Sequence, residues 1–229
     1  MKFLRNILAF TAVPAVLAAG YTLIKNFLFL SVSSSSRYIP FWIGVFSYIV
    51  FQIVLYKPIK TYIFGHELSH AVAGFLSGAI IKKFKIGKNS GSVVITKSSI
   101  WIALAPYFFP IYTIVIIIVY VSLGWFIDIK QLYEYYIFLV GFSVSFYIAL
   151  TIYILSVEQP DLEAYGTFFS YIVILALNIV VFTLLIGFVF ENAAGVKNIF
   201  VQISYNIVAV YKLIYNGAAK IWLAFQKTR

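Results

Sequence analysis

Two histidines, His66 and His70, are the only histidines in the 229-residue chain, and they stand four residues apart in the run His66-Glu67-Leu68-Ser69-His70. Residues at this spacing lie on the same face of a helix, so both imidazoles can bind one metal ion. Imidazole is a usual ligand of tetrahedral zinc, and a glutamate between two such ligands can act as general base on a zinc-bound water. The pattern therefore predicts a Zn²⁺ site at His66 and His70, with Glu67 as the catalytic residue.

A catalytic zinc site takes three protein ligands and keeps one position for water. The chain has no cysteine and no further histidine, so the third ligand must be a carboxylate. Outside the motif the sequence offers six carboxylates: Asp128, Glu134, Glu158, Asp161, Glu163 and Glu191. The alternative to a metal site is a pair of histidines at a lipid headgroup boundary, with Glu67 as a helix cap.

The composition excludes the usual soluble enzyme. Hydrophobic residues make up 63% of the chain and charged residues 10%, whereas a soluble domain has roughly 45–50% and about 25%. An ionisable cluster in so apolar a chain is costly and by default marks function. The net charge of +10 is scattered, which indicates cytoplasmic loops and contacts with membrane lipid, and no nucleic-acid partner.

The elements that must position the motif are predicted as an all-α polytopic membrane protein, with residues 1–229 as a single membrane-embedded domain. The tail over 197–225 carries isoleucines and lysines on different sides, which predicts an amphipathic interfacial helix; a sixth span over about 199–215 is the alternative. Five apolar runs are long enough to cross a hydrocarbon core of ~30 Å: about 7–30, 41–56, 100–123, 134–157 and 167–190.

The motif itself lies on a predicted helix over 59–78, which can begin after Pro58 and end at Gly78. A short β-hairpin is predicted over 79–98, from its β-branched residues and its Asn-Ser-Gly turn. One strand of this hairpin could hold an extended substrate by edge pairing, and a solvated basic loop against anionic lipid is the alternative. The candidate substrate-binding residues of that strand are Gly91, Ser92, Val93 and Val94.

Three segments together resemble a known family. Residues 64–74 (FGHELSHAVAG), followed by Gly78 and a β-like stretch, resemble the site-2 protease (M50) family of intramembrane zinc metalloproteases. The resemblance extends to 103–106 (ALAP) and 159–162 (QPDL), and so covers about residues 60–180. It implies a membrane-embedded zinc endopeptidase.

The resemblance also selects a third ligand. In the family this ligand is an aspartate near a later span, which implies Asp161, with Glu158 and Glu163 as the alternatives. Locally, Gln159 can cap and Pro160 can open a helix whose first turn holds Asp161. An aspartate there is also stabilised by the helix dipole, by about 0.3–1 kcal/mol, without any metal.

The implied function is zinc-dependent hydrolysis of peptide bonds in membrane-embedded or membrane-proximal substrates, with a transmembrane or membrane-anchored polypeptide as partner. The alternative is a proteolytically inactive relative that acts as a membrane scaffold or a metal-binding transporter. With Lys2 and Arg5 in the cytoplasm, the positive-inside rule predicts a cytoplasmic-membrane protein whose active site faces the cytoplasmic side.

Overall fold

The computed structural model describes residues 2–33, 35–55, 57–87, 90–157, 159–191 and 193–227. Within these ranges the chain forms nine helices and one antiparallel pair of strands. The helices are α1 (Lys2–Ser33), α2 (Ser35–Val54), α3 (Ile59–Leu76), α4 (Ile100–Leu104), α5 (Ile111–Leu123), α6 (Tyr133–Leu155), α7 (Pro160–Glu163), α8 (Thr167–Val189) and α9 (Ala193–Lys227). The strands are β1 (Ile81–Ile86) and β2 (Gly91–Ile95).

The predicted helical architecture with one small hairpin is confirmed. Among the described residues, five helices are long and apolar enough to cross a membrane, namely α1, α2, α6, α8 and α9. The motif helix α3 is not among them. The stretch 193–223 of α9 meets the criterion, so the tail that was predicted to be interfacial also has the length and composition of a span.

The predicted span over about 100–123 is not a single straight helix. The chain instead forms α4, a short 3-10 turn over Ala105–Tyr107, and α5, with a bend of 80°. Pro106 and Pro110 stand at the break, where each removes a backbone N–H and its ring clashes with the preceding turn. The two pieces together are long enough for one broken or re-entrant span.

The chain divides into two compact units, Ser33–Ser170 and Met1–Val32 with Tyr171–Arg229. In the first unit α2 and α6 run side by side in parallel and approach closely at two glycines. A Cβ at Gly44 would lie 2.1 Å from the Phe138 carbonyl oxygen, and one at Gly141 would lie 2.1 Å from that of Phe41. Any larger residue at either position would therefore force the two helices apart. The second unit is formed by α1, α9 and most of α8.

The motif helix and the hairpin also belong to the first unit. The helix α3 ends at Leu76, two residues before the predicted stop at Gly78, whose φ of +69° is a conformation that glycine adopts at no steric cost. The hairpin then pairs Ile81 with Ile95 and Ile86 with Gly91, which confirms the hairpin predicted over 79–98. Along β2 the residues alternate between partly buried and exposed.

Candidate metal centre

Three side chains from two helices converge on one point. His66 and His70 extend from successive turns of α3, and their ring centroids are 5.0 Å apart. Asp161 extends from α7, with its Oδ2 3.7 Å from Nε2 of His66 and 3.4 Å from Nε2 of His70. One ligand atom from each residue lies within 4.8 Å of the others, so within the described ranges this group could hold a metal ion.

The spacing of these atoms is long for hydrogen bonds and close to that of the ligands of one metal ion. A good N–H···O bond measures about 2.7–3.2 Å, and both N···O distances are longer. Zinc bonds of about 2.0–2.2 Å set the edge of a coordination tetrahedron at about 3.4 Å. Two imidazole nitrogens and one carboxylate oxygen are also a donor set that zinc accepts.

Among the candidate carboxylates that the structure describes, Asp161 is the one beside the imidazoles. Glu163 is exposed on the same short helix. Asp128 is exposed in a loop, where its Oδ1 accepts from the Lys130 N–H at 3.1 Å. Glu158 lies outside the described residues.

The short helix α7 is fixed from two directions. Pro160 stands at its start, as expected, but Gln159 makes no side-chain cap bond, so the predicted capping role is wrong. The longer glutamine side chain instead turns away, and its Nε2 donates to the Ile154 carbonyl at 3.3 Å. Leu162 is 2% exposed, and its carbonyl accepts from the Ser170 hydroxyl at 3.1 Å.

His70 has a backbone partner that fixes its tautomer. Its Nδ1 lies 2.7 Å from the carbonyl oxygen of Ile102 in α4. A carbonyl can only accept, so Nδ1 carries the proton and the lone pair of Nε2 faces Asp161. In a continuous helix the Ile102 carbonyl would accept from the N–H of residue 106. That residue is Pro106, which has no N–H, and the carbonyl is left for the histidine.

His66 has different surroundings. It is mostly buried, and its Nδ1 has no hydrogen-bond partner in the described part of the chain. Its ring instead packs edge-to-face on Tyr107, with centroids 5.2 Å apart at 85°. One histidine is thus oriented by a hydrogen bond and the other by aromatic packing.

These surroundings shift the pKa values of the three groups in different directions. Burial lowers the pKa of His66 and outweighs the attraction of Asp161. Burial also acts to lower the pKa of His70, but the hydrogen bond and charge of Asp161 and the Ile102 carbonyl outweigh it, so that pKa is raised. For Asp161, burial acts to raise the pKa, and the two imidazoles overcome it and hold the pKa well below its usual range.

Glu67 lies under the hairpin. It is 8% exposed, and its carboxylate accepts a hydrogen bond from the Val93 N–H of β2. Burial raises the pKa of Glu67, as suits a proton acceptor that must work near neutral pH. A Cβ at Gly91 would lie 2.4 Å from Glu67 Cγ and 2.8 Å from Oε1, so only glycine allows the strand to approach so closely.

The predicted substrate strand is therefore in contact with the predicted base. Gly91 and Val93 face α3, whereas Ser92 and Val94 are exposed. Their role in binding substrate stays a prediction. Sequence reasoning did not find Tyr107, whose hydroxyl lies 3.3 Å from Asp161 Oδ2. Its only signal was its place directly after the ALAP segment.

Compared with models of known protein families, with curated proteins and with solved structures, the chain has no match. The resemblance to the site-2 proteases thus depends on the motif segments alone.

Proposed function

We propose that the protein is a zinc-dependent intramembrane endopeptidase of the site-2 protease type. The observation that carries this proposal is the convergence of His66, His70 and Asp161, whose ligand atoms lie within 4.8 Å of one another. Glu67 stands on the same helix as two of these residues but is not part of the metal-binding group. A carboxylate left over beside a metal centre is what a metallopeptidase needs as its base.

The roles follow from the groups present. Zinc, when bound by the two histidines and Asp161, lowers the pKa of water and polarises a carbonyl oxygen. Glu67 accepts the proton of the attacking water at its carboxylate and returns it to the leaving nitrogen of the peptide. The Val93 N–H, bonded to that carboxylate, holds it in place between the two proton transfers. The Ile102 carbonyl keeps His70 in the tautomer that presents Nε2.

An apolar groove next to the site supports a membrane-embedded polypeptide as substrate. It has a volume of about 220 Å³ and lies between the C-terminal half of α3 and the α4 region. Ala73 and Ser77, which line it, continue the face of α3 that carries the two histidines. Apolar walls suit the side chains of a transmembrane segment. The other lining residues include Val72, Leu76, Trp101, Ala105 and Phe108.

The distribution of lysines supports a site on the cytoplasmic side. Lys57, just after α2, lies 4.3 Å from the ring centre of Tyr153 near the end of α6, so both helices end on the same side. Asp161 follows the end of α6 closely, and α3 follows α2. The exposed lysines of β1, at positions 82, 83 and 85, come next in the chain. By the positive-inside rule this lysine-rich end is cytoplasmic.

The test compares zinc content and peptide cleavage in purified, reconstituted protein. Wild type should hold about one zinc per chain and cleave a single-span test polypeptide. His66→Ala should lose both properties. Glu67→Gln should keep the zinc and lose cleavage, because an amide cannot accept the proton. Glu163→Gln, which changes an exposed carboxylate on α7, is the matched control and should keep both.

The zinc content and the cleavage rate of these variants distinguish the proposal from its alternatives. Folded wild type without zinc rejects the proposal. Zinc binding without cleavage by the wild type favours the inactive scaffold or metal-binding transporter instead. Undiminished cleavage by Glu67→Gln shows that Glu67 is not the base.

A further inference from the structure

The orientation of Asp161 requires support from outside its own helix. The residue extends from a helix of only four residues, and its side chain is 31% exposed. An aspartate in such a position can rotate its carboxylate towards solvent. In the structure it does not, and its Oδ2 faces both imidazoles.

Tyr107 is in a position to supply that support. Its hydroxyl lies 3.3 Å from Asp161 Oδ2, the same oxygen that faces the two histidines. The residue is fully buried, and its carbonyl accepts a hydrogen bond of 2.6 Å from the Tyr147 hydroxyl. Its ring also packs against His66. The phenol is thus fixed at the backbone and at the ring.

We propose that Tyr107 is a positioning residue of this metal site, whose hydroxyl donates to Asp161 and holds Oδ2 between His66 and His70. This inference depends on the proposed function only through its metal centre. The hydroxyl has one hydrogen, and both Asp161 Oδ2 and Gln159 Oε1 lie 3.3 Å from its oxygen. A charged carboxylate is the stronger acceptor, so the hydrogen goes to Asp161.

The consequence is a pre-organised ligand. Without the hydroxyl, binding of the metal must first stop the rotation of the carboxylate, and the affinity falls. Partners that orient metal ligands typically change the affinity by about 10–100-fold. We expect Tyr107→Phe to lose zinc affinity in that range, although it removes no atom that binds the metal.

The experiment measures zinc affinity in detergent by competition with a chromophoric chelator, and records the visible absorption of the Co²⁺-substituted protein. Tyr107→Phe should bind zinc about 10–100-fold more weakly and show altered Co²⁺ bands, because the carboxylate is no longer held. Tyr48→Phe is the matched control. The Tyr48 hydroxyl is also buried in the first unit but has no hydrogen-bond partner in the described residues, so its affinity and bands should match wild type.

A third variant, Gln159→Leu, separates positioning from a general role in loop structure. It removes another acceptor near the Tyr107 hydroxyl and leaves Asp161, so zinc affinity should stay within about threefold of wild type, well below the roughly 10–100-fold loss expected for a lost positioning partner. Equal losses in Tyr107→Phe and Gln159→Leu would overturn the proposal in favour of loop structure. Wild-type affinity and bands in Tyr107→Phe would overturn it while the proposed function stands. A wild type that binds no zinc would overturn both.

Discussion

Polar groups lie among apolar helices in both compact units, but those of the metal site are arranged differently. In the unit formed by α1, α9 and most of α8, they pair directly from helix to helix. Asn206 Nδ2 donates to Thr22 Oγ1 at 2.8 Å, and Asn26 Nδ2 donates to Gln202 Oε1 at 3.0 Å. In the metal-site unit, Oδ2 of Asp161 lies 3.4–3.7 Å from the Nε2 atoms of the two imidazoles.

This difference separates two uses of polarity. Neutral amides and hydroxyls at hydrogen-bond distance satisfy one another and so hold helices together. The ionisable groups of the metal site converge at longer distances, and among the described residues His66 also keeps a buried nitrogen without a partner. A buried polar atom without a hydrogen bond lowers the stability of a protein. Such a cluster is therefore expected where a bound ligand supplies the missing interactions.

The largest effect should come from Asp161→Ala. Loss of a direct ligand should weaken zinc binding by more than the roughly 100-fold typical of a supporting residue. Glu163→Ala, on the same short helix, should change it little because that side chain is exposed. Zinc affinity measured by chelator competition decides the matter. Comparable affinities in the two variants would remove Asp161 from the site and with it the contrast between the units.

Acid should weaken zinc binding at the metal site. Zinc binds only deprotonated histidine, and the pKa of His70 is raised above its ordinary 6.5. As the pH is lowered, zinc affinity should therefore begin to fall while the pH is still above 6.5. At lower pH it should drop about tenfold per pH unit for each proton displaced. Titration of zinc affinity between pH 8 and 5.5 measures this. An affinity that is constant over the range would contradict the predicted ligands.

Above pH 6.5 the stability of the metal-free protein should respond to pH in the opposite direction from zinc affinity. The raised pKa of His70 gives stability that is complete below pH 6.5 and is lost as pH rises through its folded value. The lowered pKa of Asp161 gives stability that is present above its ordinary 3.8 and is lost in stronger acid. The lowered pKa of His66 acts against this in acid, because the folded protein resists a proton that the unfolded chain binds below pH 6.5. The melting temperature without metal should therefore be highest near pH 6.5 and should fall on either side. Asp161→Ala should flatten that peak.

The smallest effect should come from the other unit. Asn206→Leu removes the bond to Thr22 and should cost about 0.6 kcal/mol of stability, the average for bonds between membrane helices. Ser204→Ala is the control, because that hydroxyl bonds only within its own helix, to the Val201 carbonyl. Denaturant unfolding in detergent measures both. Zinc affinity should not change, and a tenfold loss in Asn206→Leu would show that the two units are not independent.

Features with a local cause could be predicted from the sequence. The motif helix and the hairpin after it follow from Pro58, Gly78 and alternating β-branched residues, and the structure has both. The break at Pro106 was missed because the run around it is apolar enough for a straight span. Composition outweighed the two prolines in that prediction.

The candidate site could be predicted only in part, because only some of its contacts arise within one segment of the chain. Two of its groups share one helical face and so can be recognised from their spacing. The place of Asp161 came from a resemblance. The contacts of Tyr107 and of the Ile102 carbonyl depend on how separate segments pack, and no spacing along the chain encodes them.

Pro106 matters for anyone who would transplant this site into a designed bundle. The residue acts through a group that it does not have, since its missing N–H leaves the Ile102 carbonyl to His70. In a design that copies the three ligands onto ideal, unbroken helices, every backbone carbonyl near the site would accept a hydrogen bond within its own helix. The His70 imidazole would then have no carbonyl to orient it. The graft must therefore carry the helix break along with the histidines.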